Sequence, residues 1–331
     1  MPELVDWGLA ERIAVRVTGR EPLADSYLAD SLDADFAELT ALAEEMVTAE
    51  TGLRSLAGPA RGKVTDRAGW VSANVASFER LLQPVSDRLG SRIGGPSAMV
   101  MRTIAAVEVG TLLGWMSGRV LGQYDLLVAA DDNPEDQDVV YYVGPNVLSI
   151  EKRFAFPPRE FRLWLALHEV THRAQFTGVP WMREHYLGLV DRMLNNSGLD
   201  PMMLLDILKR VVADMRAGRS PIADGIGALL ASPGQREVLG QIGGLMSLLE
   251  GHGDITMNRA GEGHVPSADR FSRVLSARRA SASGVQKLVQ RLLGLEAKLN
   301  QYAQGEDFIL EVERLGGGKA ALEPVWRGPS W

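Results

Sequence analysis

The chain has 331 residues, 46% of them hydrophobic and 23% charged, a composition typical of a globular protein that buries a sizeable core. Its net charge of −7 argues against nucleic acid as the main partner. The sequence contains no cysteine, which excludes disulfide bonds, cysteine-ligated zinc, iron–sulfur clusters and a thiol nucleophile. Any metal must therefore be held by histidine, aspartate or glutamate.

Two segments of the sequence indicate where in the cell the protein is expected to lie. The N-terminal stretch MPELVDWGLAERIAV carries acidic residues where a signal peptide needs a basic region and an apolar run, so we expect a cytoplasmic protein. The most apolar stretch, residues 97–118, is interrupted by Arg102 and Glu108, whose charges would be costly in lipid. We therefore expect a buried central helix there and no membrane partner.

The first third of the chain shows helical periodicity in its apolar residues. Glycine favours the position just past a helix C-terminus, and a glycine follows or ends each periodic run. The pattern predicts helices over 4–18, 33–51, 69–89 and 97–121.

Residues 123–150 have a different character. The strand-favouring runs YDLLVAA and VVYYV flank the acidic, turn-rich stretch DDNPEDQD. This pattern predicts a hairpin or two adjacent strands of a small sheet.

Prolines suited to the first turn of a helix mark most of the later helices. Predicted helices begin at Pro157-Pro158, Pro180, Asp200-Pro201 and Ser232-Pro233, and two more follow near 268–281 and 284–304. With no repeat or linker visible, we predict one domain over 1–331 with a predominantly helical α+β fold. Its parts are a helical N-terminal region (1–122), a small sheet (123–150), metal-site helices (157–260) and C-terminal helices (267–315).

The helix after Pro157-Pro158 carries the most specific motif, HEVTH at 168–172, inside WLALHEVTHRAQF. Residues four apart on a helix project from one face, so His168 and His172 can share a zinc ion. Glu169 can then act as the general base toward a metal-activated water. Flanking apolar residues bury the motif against the core, and a buried cluster of two histidines and a glutamate needs a reason. The stretch therefore predicts a metal site.

The third ligand must come from elsewhere. A longer form of the motif would have glycine at position 175 and histidine at 178, where this chain has Gln175 and Gly178. The downstream segment SLLEGHGD places Glu250 and Asp254 four residues apart on one helical face. We predict Glu250 as the third ligand. We predict Asp254 as a carboxylate that accepts a hydrogen bond from the outer nitrogen of a ligand histidine.

Two further histidines are candidates for contact with a substrate or its transition state. His252 lies two residues after Glu250, so on a regular helix it points away from the metal, and a ligand role requires a distorted helix. His264 lies in the polar loop EGHVPS. Either histidine is equally compatible with an ordinary polar contact or an exposed position.

With these motifs in view, the chain resembles the bacterial zincin-like metallopeptidase type 2 family. The resemblance covers nearly the whole chain and rests on HEVTHRAQF with its flanks FRLWLAL and SLLEGHGD, and on VDWGLAERIA, LGQYDLLV, VGPNVLSIEK and LLGLEAKLNQYAQGEDFI. Within the family it is most similar to an actinobacterial branch of hydrolases associated with biosynthesis of the deazaflavin coenzyme. The resemblance implies a zincin-like fold with the HExxH helix near a small sheet. It also implies His168 and His172 as metal ligands and Glu169 as base.

Two functions from different classes follow. The first is a zinc-dependent hydrolase, most simply a metallopeptidase, that acts on a peptide or another amide substrate with Glu169 as general base. The second is a non-catalytic, metal-stabilised scaffold or binding module linked to the deazaflavin coenzyme pathway. The sequence favours the enzyme, because a scaffold needs the metal ligands but has no use for Glu169.

Overall fold

A computed structural model of the protein describes residues 4–21, 23, 26–90, 96–126, 138–195, 233–281 and 299–328. Within these ranges the fold is predominantly helical with one small sheet, as the sequence predicts. The helices are α1 (Trp7–Thr18), α2 (Leu32–Thr51), α3 (Arg67–Gly90), α4 (Pro96–Ser117), α5 (Gly144–Phe154), α6 (Pro158–Gly178), α7 (Met182–Asn195), α8 (Pro233–Ala260), α9 (Ala268–Ser281), α10 (Leu299–Gly316) and α11 (Glu323–Arg327). Short 3₁₀ turns cover Tyr27–Ala29 and Lys319–Leu322.

The sheet has three strands in the order β1-β3-β2. β1 (Arg61–Thr65) runs parallel to β3 (Val139–Val143), and β2 (Gly122–Tyr124) runs antiparallel to β3, with Gly122 opposite Tyr142. Every residue of β3 is buried, which explains why its sequence is a continuous run of valine and tyrosine. β2 lies at one edge of this sheet.

The structure corrects the predicted sheet region in two respects. β1 lies between the predicted helices 33–51 and 69–89, in the N-terminal region where the sequence predicts no strand. The predicted sheet segment 123–150 extends too far, because helix α5 begins at Gly144 with Pro145 in its first turn. Residues 127–130 of the predicted strand YDLLVAA and the predicted helix after Asp200-Pro201 lie outside the described residues, as does most of the predicted helix 284–304.

Helix α6 lies at the centre of the main core. Its residues from Phe161 to Leu167 are all buried, and α2, α8 and the sheet pack around it. Near its N-terminus, Phe161 and Phe156 both pack on Phe271 of α9, at ring-centroid distances of 5.2 and 4.6 Å. Burying one such side chain contributes about 1.5–3 kcal/mol to stability. The helix that carries the HEVTH motif is therefore held on several sides.

Helix α4 packs on α1 in a second core through two glycines. A β-carbon on Gly110 would lie 2.3 Å from the carbonyl oxygen of Ala10, and one on Gly114 would lie 2.4 Å from that of Ala14. Only glycine permits this close crossing. The sequence predicts a buried central helix here. The helix is buried only in part, since Met99 and Val100 near its N-terminus are 75% and 59% exposed.

Among the described residues, one helical stretch, Met99–Ser117, has the length and the apolar composition needed to cross a membrane. In the structure 33% of it is buried. Length and composition alone are weak support for a membrane span, because core helices of globular proteins meet the same criteria.

Candidate metal centre

The two histidines of the HEVTH motif lie side by side on α6. Their Nε2 atoms are 3.3 Å apart and their ring centroids 4.6 Å apart, with the ring planes nearly perpendicular. This follows from helix geometry, because residues four apart share one face. The sequence prediction that His168 and His172 share a face is what the structure shows.

Helix α8 brings Glu250 to the same place. Its Oε2 lies 3.8 Å from Nε2 of His172, and one ligand atom from each of His168, His172 and Glu250 lies within 4.8 Å of the other two. All three side chains are half-buried. Two imidazole nitrogens and one carboxylate oxygen form the donor set of many catalytic zinc sites, which keep a fourth position for water. The cluster can hold a divalent metal.

Glu169 lies on α6 beside the first histidine and is buried, with 7% of its surface exposed. Its Oε2 accepts a hydrogen bond from the backbone N–H of Tyr124 on β2, at 3.1 Å. Burial raises the pKa of Glu169 to about 7. Its neighbour His172 and the Tyr124 N–H act in the opposite direction, while Glu250 adds to the rise. The edge strand β2 thus holds the carboxyl group in place, and its pKa lies close to neutral pH.

Gln175 is a site residue that the sequence analysis passed over. It is fully buried on α6, one turn after His172. Its Oε1 lies 3.0 Å from Nδ1 of His172, and its Nε2 donates to the carbonyl oxygen of Leu249, at 2.8 Å. The same Nε2 lies 2.9 Å from Nδ1 of His252. The signal in the sequence was a polar residue three positions after His172, on the same helical face.

His252 lies behind Gln175 rather than in the cluster of ligand atoms. Its ring is 5% exposed and packs edge-on against Trp326 of α11, with centroids 4.6 Å apart. Burial, and then His172, lower the pKa of His252 to about 4. The ring lines a cavity of about 490 Å³ together with Glu50, Arg259 and Trp326. The predicted contact of His252 with a substrate stays a prediction.

The other two candidates lie at the edges of this region. Asp254 is half-buried on α8, one turn after Glu250. Because Gln175 occupies Nδ1 of His172, the bond predicted for Asp254 can apply only to His168. His264 is exposed in the turn after α8, with Nδ1 3.2 Å from the carbonyl oxygen of Glu262. Its predicted contact with substrate also stays a prediction.

An HExxH helix beside a small sheet, with a carboxylate supplied by a later helix, defines the zincin-like class. The chain belongs to the zincin-like metallopeptidase family, whose model matches residues 5–331. This membership places it among the hydrolytic enzymes of the metallopeptidase class.

A solved structure supports the same grouping. The chain is 28% identical to a protein from Chloroflexus aurantiacus described as "a putative hydrolase with a novel fold", with a TM-score of 0.71. The match covers 98% of this chain and 92% of the other. No curated protein matches the chain at a significant level.

Proposed function

We propose that the protein is a zinc-dependent hydrolase that cleaves a peptide or another amide bond, with Glu169 as general base. One observation carries the proposal: His168, His172 and Glu250 converge from two helices, with the buried Glu169 directly beside His168. Family membership supports a peptide as the substrate in general.

The donor set supports zinc as the metal. Two nitrogens and one oxygen suit zinc better than magnesium or calcium, which prefer oxygen ligands alone. A zinc ion held by His168, His172 and Glu250 would supply Lewis acidity that polarises a carbonyl group and lowers the pKa of water.

Glu169 provides the proton transfers. Its carboxylate takes one proton from the attacking water, whose oxygen bonds to the carbonyl carbon of the substrate. The C–N bond then breaks, and Glu169 returns the proton to the leaving nitrogen, which departs as a neutral amine. The backbone N–H of Tyr124 holds Oε2 during both transfers and so fixes the orientation of the carboxylate.

The first test measures the metal. Elemental analysis should find about one zinc per wild-type chain and strong loss in His168→Ala, His172→Ala and Glu250→Ala, since each removes one ligand. Full zinc in both histidine variants would contradict the site. If Glu250→Ala alone keeps its zinc, Asp254, one turn further along α8, becomes the candidate third ligand.

The second test measures turnover. A digest of unbiased peptide, amide and ester libraries should identify a substrate for the zinc-loaded protein. Glu169→Gln should keep zinc and fold yet lose about 10²–10⁴-fold in rate, because glutamine cannot take the proton. Wild-type activity in that variant would contradict the mechanism. A fully loaded protein that cleaves nothing would favour the metal-stabilised scaffold instead.

A further inference from the structure

The geometry points to Gln175 as a positioning residue that fixes the tautomer of His172 and joins the two helices that carry the metal ligands. This inference rests on the proposed metal site. It concerns a side chain that does not itself reach the cluster of ligand atoms but acts through His172.

The identity of each Gln175 atom follows from its neighbours. The carbonyl oxygen of Leu249 can only accept a hydrogen bond, so the atom of Gln175 that lies 2.8 Å from it must be the amide nitrogen. The second N–H of that nitrogen points to Nδ1 of His252, at 2.9 Å. Both amide hydrogens of Gln175 are thus used on α8.

The remaining atom, Oε1, must be the acceptor that faces His172. An amide oxygen cannot donate, so Nδ1 of His172, at 3.0 Å, carries the hydrogen. A neutral imidazole with its hydrogen on Nδ1 has its lone pair on Nε2. That Nε2 is the atom that lies 3.3 Å from His168 and 3.8 Å from Glu250. Gln175 therefore directs the ligand electron pair of His172 into the site.

Burial makes this arrangement rigid. Gln175 is fully buried, so water cannot replace a lost partner of its amide group. Rotating the amide by half a turn would place its oxygen against the carbonyl of Leu249. His252 is itself held, by the edge contact with Trp326 and by Thr256, whose Oγ1 lies 3.5 Å from Nε2. The His252 end of the network is therefore held in place.

The direct test reads the tautomer without any metal. The chain has five histidines, so selective ¹⁵N labelling and long-range ¹H–¹⁵N correlation can resolve each ring, with His172→Gln to assign the signal. In the metal-free wild-type protein we expect the hydrogen of His172 on Nδ1. In Gln175→Met, which has nearly the same shape but no acceptor, we expect that tautomer to lose its preference. A hydrogen on Nε2 in the wild type would overturn the inference.

The second test measures zinc affinity by competition with a chelator. Gln175→Met should bind zinc about 10–100-fold more weakly, the usual effect of removing a residue that supports a ligand histidine. Gln175→Glu keeps an acceptor for Nδ1 and, with its other oxygen protonated, a donor for the carbonyl of Leu249, so it should recover part of that affinity. Thr171→Val is the matched control, because it removes a buried hydroxyl that bonds to Leu167 on the same helix. Its zinc affinity should equal that of the wild type.

The outcomes separate this inference from the proposed function. Wild-type zinc binding that does not depend on His168 or His172 would contradict the metal site itself. Zinc binding that depends on both histidines but is unchanged in Gln175→Met would overturn the role of Gln175 alone. Weaker binding in Gln175→Met, with normal binding in Thr171→Val, supports it.

Discussion

Gly122 and Glu169 are in close contact across the boundary between the sheet and helix α6. A β-carbon on Gly122 would lie 2.8 Å from both Cγ and Oε1 of Glu169, a separation that real β-carbons essentially never show. Two residues further along β2, the N–H of Tyr124 bonds to Oε2. The edge strand thus contacts both oxygens of the glutamate, and the approach requires a residue with no side chain.

We expect Gly122→Ala to displace Glu169 and to lower kcat by about 10²-fold or more, since a displaced base loses much of its usual contribution. Zinc content should be unchanged, because the substitution touches none of the three proposed ligands. Steady-state kinetics on a verified substrate, together with elemental analysis, would check both expectations.

Gly188→Ala is the matched control for this variant. It lies on α7, and a β-carbon there would meet no other heavy atom within 4 Å. Alanine in an open helical position stabilises a protein by about 0.4–1 kcal/mol, so we expect full activity. Normal turnover in Gly122→Ala would show that the sheet edge does not position the base.

Asp254→Ala should weaken zinc binding by about 10–100-fold in chelator competition, because we propose that Asp254 supports His168 as Gln175 supports His172. The circular dichroism spectrum should not change. If the zinc affinity equals that of the wild type, Asp254 is an ordinary carboxylate of helix α8.

The metal cluster was largely accessible to sequence reasoning because its strongest signal is local. Helix periodicity alone places His168 and His172 on one face, and Glu250 follows from the need for a third ligand on a later helix. The predominantly helical α+β class and the family are confirmed. Gln175 was not accessible, because its role depends on two partners on α8, Leu249 and His252, that lie more than 70 residues away.

The missed elements have similar explanations. Strand β1, RGKVT, contains only two strand-favouring residues and has no fully buried position, so its sequence reads as a loop. Pairing with the apolar strand β3 determines its conformation. Gly122 fits equally well just after the predicted helix 97–121, and only the contact with Glu169 shows why the position is glycine.

Arg173 lies on α6 just after the motif and anchors this helix to the segments around Glu44, Gly58 and Asp138. Its guanidinium is fully buried and bonds to Asp138, to Glu44 at 2.7 Å and to the carbonyl oxygen of Gly58 at 2.6 Å. We expect Arg173→Met to reduce the free energy of unfolding by about 1.5–3 kcal/mol, because it removes the charged hydrogen bonds to the half-buried carboxylates of Asp138 and Glu44. Urea unfolding would measure this loss.

The control for Arg173 is Arg314, whose pair with Glu311 is exposed on one face of α10. Arg314→Met should change the free energy of unfolding far less than Arg173→Met does, since exposed ion pairs contribute little. Equal effects of the two substitutions would contradict the anchoring role of Arg173.

A last prediction concerns pH and the contact between α8 and α10. Arg259 binds Glu313 through two hydrogen bonds, of 2.8 and 2.7 Å, and these bonds hold the pKa of Glu313 below its usual value. A carboxylate whose pKa is lower in the folded protein adds stability above the unfolded pKa, near 4.5, and loses it as the pH falls through the folded value.

Glu313→Gln has a similar shape but does not titrate. We therefore expect the stability difference between wild type and Glu313→Gln to be largest above about pH 5 and to shrink steadily toward pH 3. Urea unfolding across this range would measure it, and in an Arg259→Met background the difference should be smaller at every pH. A difference that grows as the pH falls would contradict the assigned direction of the pKa change.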